Sequence, residues 1–261
     1  MTNTKFRKRA LLSSVAMLLV ALVALGSATF AWFTSTTKAT AKGISIATTK
    51  SSELQVAKLN YQFADEVTYN GFATSYVPAS SKDGSNWYTS FAAAKTAYNS
   101  IGTYTAATGE AKKNAVYDEM LNIKNKGGKT ANATITMTGA IDSKFARVAV
   151  VPCATAQSAA NNAPTITEAA FKANIYGMDS SDSWKPYNGS SGQVADAYTL
   201  KGAFNNATIA NVTIAPNTVV SYRILVWFEG EDSDCYDLTA SNLVIGTTGN
   251  ELKFEVTAKD N

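Results

Sequence analysis

The chain of 261 residues is 46% hydrophobic and only 16% charged, with a formal net charge of +3, two cysteines and no histidine. This length supports one large domain or two small ones with a real core, and so little charge excludes disorder driven by charge repulsion. Without histidine, Ser-His-Asp and Cys-His hydrolysis and the commonest ligand of catalytic zinc are excluded within this chain. Lys5, Arg7, Lys8 and Arg9 supply four of the 23 cations, which leaves 19 against 20 acidic residues and no electrostatic reason to expect a nucleic-acid partner.

The basic cluster runs straight into an apolar stretch from Ala10 to Phe33, broken only by small residues such as Ser13, Ser14, Gly26, Ser27 and Thr29. This is the layout of a secretory signal, with residues 1–31 as an N-terminal signal helix and a processing site at Thr29, Ala31 and Trp32. Cleavage after Ala31 is the first choice and after Ala28 the second. The alternative is a retained anchor, because the run just reaches the ~20 apolar residues of a membrane-spanning helix. Either way the body is expected outside the cytoplasm, touching the membrane only through this segment if it stays uncleaved and meeting a signal peptidase during export.

Past Ala31 the chain alternates β-branched and aromatic runs with clusters of Gly, Asn, Ser and Lys, which predicts an all-β domain over 32–261. In order, the predicted strands are Lys42 to Thr48, Glu53 to Leu59, Val116 to Lys124, Ala131 to Gly139, Phe145 to Pro152, Ala207 to Ile214, Val219 to Glu229 and Glu251 to Ala258. In Asn132 to Thr138, Ala133, Ile135 and Met137 face a core while threonines face water. Tyr222 to Phe228 is almost continuously apolar and belongs in the middle of a sheet. Asn125-Lys126-Gly127-Gly128-Lys129 predicts a hairpin turn between two strands.

Residues 83–115 and 154–206 read as insertions carrying short helices. Ser90 to Tyr98 and Gly109 to Tyr117 each fit a helical turn or two, and Thr165 to Asn174 has a helix start with Thr167 as cap. Asp179 to Gly192 reads as a surface loop.

Thr29-Phe30-Ala31-Trp32-Phe33, placed after the basic cluster and apolar run, resembles the junction of exported Gram-positive proteins cut by the SipW type of signal peptidase, as in the TasA and camelysin family. Leu121 to Gly127 is similar to a strand of that family ending in an Asn-x-Gly turn. Val226 to Cys235 is similar to a tail motif of related surface proteins. The resemblance implies a jelly-roll-like β-sandwich that is secreted and polymerises into biofilm-matrix fibres by donating its N-terminal strand to the next subunit. Where the family often has an acidic residue after the junction Phe, this chain has Thr34, Ser35 and Thr36. Camelysin-type relatives are described as metalloproteases, but an H-E-x-x-H helix is excluded by the absence of histidine.

Independently of that resemblance, residues 32–48 form a Thr-rich, proline-free segment at the free end left by cleavage. Such a segment can donate a strand to an exposed sheet edge, with Trp32, Phe33, Ile44 and Ile46 filling pockets. The alternative is an ordinary first strand folded onto its own chain. Cys153 and Cys235 each follow a predicted strand. A disulfide joining those strand ends is one outcome and two separate thiols the other. Glu229, Glu231, Asp232, Asp234 and Asp237 form either a solvated acidic loop or a calcium site. Trp87 and Trp184, in Ser-, Asn- and Gly-rich stretches, either stack on a ligand or fold under their own loops, whereas Trp227 is expected in the core.

The sequence therefore predicts a secreted, non-enzymatic structural or adhesive surface protein with no cofactor beyond a possible calcium ion, partnered by itself or by other matrix and surface proteins. The second reading is a carbohydrate- or protein-binding module using loop aromatics.

Overall fold

Period-two alternation survives folding: each of the eight runs predicted as strands is a strand, with ends moved by no more than two residues. The computed structural model describes residues 17, 44–49, 53–90, 104–189, 192–235, 245 and 251–259. The chain falls into two compact units, Met1–Thr40 and Ala41–Asn261. Apart from Met17, the predicted signal and its junction at Thr29, Ala31 and Trp32 lie outside the described residues, as does the helical turn predicted at Ser90 to Tyr98 beyond its first residue.

In chain order the strands of the second unit begin with β1 (Ile44–Thr49), β2 (Leu54–Ala57), β3 (Glu66–Tyr69), β4 (Ala79–Ser80), β5 (Trp87–Ser90) and β6 (Tyr104–Ala107). There follow β7 (Val116–Asn125), β8 (Ala131–Ala140), β9 (Ala146–Pro152), β10 (Ile175–Gly177) and β11 (Ser183–Trp184). The last are β12 (Tyr198–Thr199), β13 (Gly202–Ala203), β14 (Asn206–Ile214), β15 (Val219–Phe228) and β16 (Glu251–Lys259). Among the described residues of the second unit, helices are confined to Glu110–Lys113 and Glu168–Lys172. The second is capped as predicted, with the Thr167 hydroxyl accepting from the Ala170 N–H at 3.1 Å.

Two sheets carry the fold. One has the order β14-β8-β16-β1-β3 and the other β13-β10-β9-β15-β7-β2. Their inner faces meet in a single apolar core. Ile46, Ile135, Met137, Phe254 and Val256 come from the first sheet, and Ile123, Val148, Val150, Ile224, Val226 and Phe228 from the second. β15 lies between β9 and β7, as its continuous apolarity required. Its even-numbered residues face the shared core, while Leu225 and Trp227 face a second cluster on the other side of the same sheet. A three-stranded sheet, β4-β5-β6, together with Phe171 of the helix and Trp184 and Tyr198 of the β11-β12 pair, supplies the rest of that cluster.

The described parts of the two regions expected to be insertions carry short strands that cover the central ones. β10 and β13 extend the six-stranded sheet itself. Their strands of two to four residues are too short to show a period.

The predicted hairpin at Asn125 to Lys129 is instead an arch, because β7 and β8 belong to different sheets. β7 has both edges occupied, by β15 and β2, so β8 finds its neighbours in β14 and β16. The chain also crosses between sheets from β14 to β15 and from β1 to β2. Asn125, fully buried, ties these crossings together. Its Nδ2 donates to Ile214 O at 2.9 Å and to Lys129 O at 2.8 Å, and its Oδ1 accepts from the Gly127 N–H at 2.9 Å. Beside it the Lys126 N–H donates to Glu53 O at 2.8 Å.

Candidate functional site

Three places bear on function: the slot filled by β1, the acidic turn after β15, and the residues predicted as a disulfide and as stacking rings.

β1 is the first described strand of the second unit and yet an interior one. It pairs in parallel with β16, Ile46 opposite Phe254, and antiparallel with β3, Ile46 opposite Val67. Ile46 has no solvent exposure, so its side chain is part of the shared core. Of the two expectations for this segment, the described part is folded onto its own chain; Trp32 and Phe33 lie outside the described residues, and Ile44 heads the strand opposite Leu252 and Tyr69.

The acidic run is neither the solvated loop nor the open calcium site expected. Glu229, Glu231 and Asp232 are all buried, while Asp234 is exposed and Asp237 lies outside the described residues. Each buried carboxylate is engaged by protein donors. Glu229 accepts from Trp227 Nε1 at 2.9 Å and from the Glu231 N–H at 3.0 Å. Glu231 accepts from Tyr104 of β6 and from Gln193 Nε2. Asp232 accepts from the Asp234 N–H at 2.7 Å and pairs with Arg147. No group of three or more His, Cys, Asp or Glu is arranged to hold a metal ion among the described residues.

Arg147 explains the burial of Asp232. It is the one charged residue of β9, its side chain is 0% exposed, and it points away from the shared core into the second cluster. Its Nη1 donates to Lys144 O at 2.7 Å and Ala146 O at 3.0 Å, while Nη2 meets both Asp182 and Asp232. The Trp184 ring lies 4.5 Å from the guanidinium carbon, a cation–π contact. Across the sheet Gly177 leaves room for it, since a Cβ there would come within 3.3 Å of Nη1 and 2.5 Å of Leu200 Cδ1.

Burial raises the Glu229 carboxyl, with Ser80, Trp227, the Glu231 N–H and Arg147 opposing it in part. Asp232 is raised to about 7, first by burial and further by Asp182. Sequence reasoning missed Arg147, Asp182, Tyr104 and Gln193. An arginine inside the apolar run Ala146 to Val151 was the available signal, because a charge in a strand buried on both faces needs a buried counter-charge.

Cys153 and Cys235 are not bridged. Both follow the C-terminal end of their strand, but β9 and β15 are antiparallel, so those ends lie at opposite edges of the sheet. The Cys153 N–H bonds Ser221 O, next to the start of β15, whereas Cys235 lies beyond its far end at Phe228. At ~3.4 Å per residue the strand between separates them by roughly 20 Å, several times the reach of a disulfide. Burial raises the Cys153 thiol to about 11.

No family model, curated protein or solved structure matches this chain. Of the two expectations for the loop aromatics, ligand stacking is overturned and burial holds. Trp87 is 2% and Trp184 3% exposed, so neither ring is available to stack on a ligand. Trp87 packs edge-on against Trp227 at 5.2 Å and Phe171 at 6.4 Å. Trp184 covers Arg147. Trp227 is in the core as predicted.

Proposed function

We propose that this chain is a secreted, non-enzymatic structural or adhesive component of a bacterial surface or biofilm matrix. It is built as a jelly-roll-like β-sandwich and assembles with further copies by exchanging its N-terminal strand. The observation that carries this reading is β1: a strand from the start of the body occupies an interior slot between β16 and β3 and seals the core with Ile46. A terminal strand can leave without threading the chain, and the slot it vacates offers two unpaired edges and an apolar pocket that the same segment of another copy satisfies equally well.

The two facing sheets and their shared core suit a sandwich; the parallel pairing of β1 with β16 departs from the all-antiparallel pairing of a jelly roll. Export rests on the basic cluster and apolar run that precede the body. The test is electron microscopy and light scattering of the purified mature chain across pH and concentration, beside a variant lacking Trp32 to Ile46. Assemblies that form with the intact chain and fail with the deletion are expected. Particles that stay monomeric under every condition and behave the same after the deletion refute the assembly.

A further inference from the structure

Asp182 and Asp232 place two carboxyl oxygens on one nitrogen, Arg147 Nη2. Two like charges sharing one donor atom repel, and the single positive charge of a guanidinium whose Nη1 is committed to Lys144 O and Ala146 O and whose Nε has no hydrogen-bond partner among the described residues cannot neutralise both. Glu229, also buried nearby, adds to the negative side of the balance. The two partners of Arg147 differ in freedom. The Asp232 side chain is 1% exposed and held in the turn after β15, whereas that of Asp182 is 29% exposed and sits on the excursion between β10 and β12.

We propose that Asp182, Arg147 and Asp232 form a proton-operated clasp that fastens the excursion through β11 and β12 onto β9. With a proton on Asp232, the guanidinium serves one carboxylate and the clasp is closed. When that proton leaves, the like charges separate by the only path open to them: Asp182 swings into solvent and takes its segment with it. What it carries is substantial. The Leu200 N–H bonds Asp182 O at 3.4 Å, β11 and β12 pair through Trp184 and Tyr198, and the Trp184 ring lies over Arg147. Opening therefore uncovers the guanidinium and the indole together.

Among the described residues the charged and titratable groups around the clasp include Cys235, whose N–H bonds Asp232 O. Arg147 comes from β9, Asp182 from the excursion and Tyr198 from β12; Tyr104 comes from β6, where it bonds Glu231, and Glu229, Glu231 and Asp234 come from the turn itself. Tyr198 is raised above its ordinary range by burial, so it stays neutral wherever Asp232 titrates. The direction of the Asp232 shift agrees with a closed state that holds a proton near neutrality, and an open state in which Asp232 has an ordinary carboxyl gives it up.

The test is amide exchange over 179–200 in the full chain, corrected for the intrinsic pH dependence of exchange. Protection of the Tyr187 N–H, which bonds Ser80 Oγ outside the excursion, is expected to fall roughly tenfold per pH unit between about 5 and 7 and to level off above, because each unit shifts a one-proton equilibrium by that factor. In Asp232→Asn, which keeps the shape and cannot ionise, protection is expected to stay flat over the same range. Flat protection in the unsubstituted chain, or an equal fall in Asp232→Asn, overturns the clasp. Should that variant not fold, carbon-13 titration of the Asp232 carboxyl in the unsubstituted chain decides: a midpoint near 7 supports the proposal, and one below 5 overturns it.

Discussion

Replacing Ile46 by alanine tests whether β1 is a structural strand of the body. The side chain has no exposure and faces the shared core between its partners Phe254 on β16 and Val67 on β3. Truncation removes three carbons, worth about 2.4 kcal/mol at ~0.8 kcal/mol per buried methylene. A cavity between two sheets that cannot collapse raises the total to about 3–4 kcal/mol. For a body of this size, each kcal/mol lowers Tm by ~2–4 °C, so a fall of about 6–16 °C is expected. The assay is thermal and urea unfolding of the mature chain followed by circular dichroism. Ile46→Val is the calibrating partner, with an expected loss of about 1 kcal/mol. If Ile46→Ala costs under ~1 kcal/mol, no better than a surface substitution, β1 does not seal the core and the strand-exchange argument loses its basis.

Asn125→Ala leaves the Ile214 and Lys129 carbonyls without their donor where two crossings meet, and a loss of about 2–4 kcal/mol is expected in the same unfolding assay. A loss under ~0.5 kcal/mol would show that the arch needs no hub. Reductant should leave both the intact mass and Tm unchanged, since Cys153 and Cys235 are at opposite ends of β15; Cys153, raised to about 11, should alkylate more slowly at pH 8 than an ordinary thiol. A mass gain of two hydrogens on reduction refutes this. Stability should pass through a maximum near the unfolded carboxyl range, at about pH 4. Glu229 and Asp232 are raised in the folded state, so their contribution is complete below the unfolded carboxyl range and is lost as pH rises through their folded values, for Asp232 about 7. Asp83 is lowered, since the bonds from Asn86, Ser85 and Ser81 outweigh its burial, and its contribution is lost as pH falls through its folded value. Chemical unfolding at pH 3, 5 and 9 measures both limbs, and equal stability at pH 5 and 9 refutes the alkaline one.

Sequence alone located eight strands, the seven of six residues or more and the four-residue β2, because alternation at a period of two is imposed by the backbone wherever one face is buried. It also placed Thr167 at the start of its helix and β15 in the centre of a sheet, since a cap is a local bond and a strand buried on both faces cannot alternate. Pairing is another matter, because a strand's own residues do not name its neighbour. The Asn-Gly turn after β7 suits a hairpin or an arch equally, and the occupied edges of β7 decided for the arch. The two cysteines follow similar strands, and only the antiparallel register shows them to be at opposite ends.

The acidic run shows the same division most clearly. Five carboxylates within nine residues imply water or a cation as long as nothing else is known. Arg147, some eighty residues earlier in the chain, turns Asp232 inward, because a buried guanidinium requires buried counter-charge, while Trp227, Tyr104 and Gln193 hold Glu229 and Glu231; only the fold brings these groups together. Trp87 and Trp184 are hidden for a related reason: the short strands that cover them acquire a period only by docking on β9 and β15. Local bonds and periodicity are written in the chain, while neighbours across space are settled by which edges and which charges remain to be satisfied.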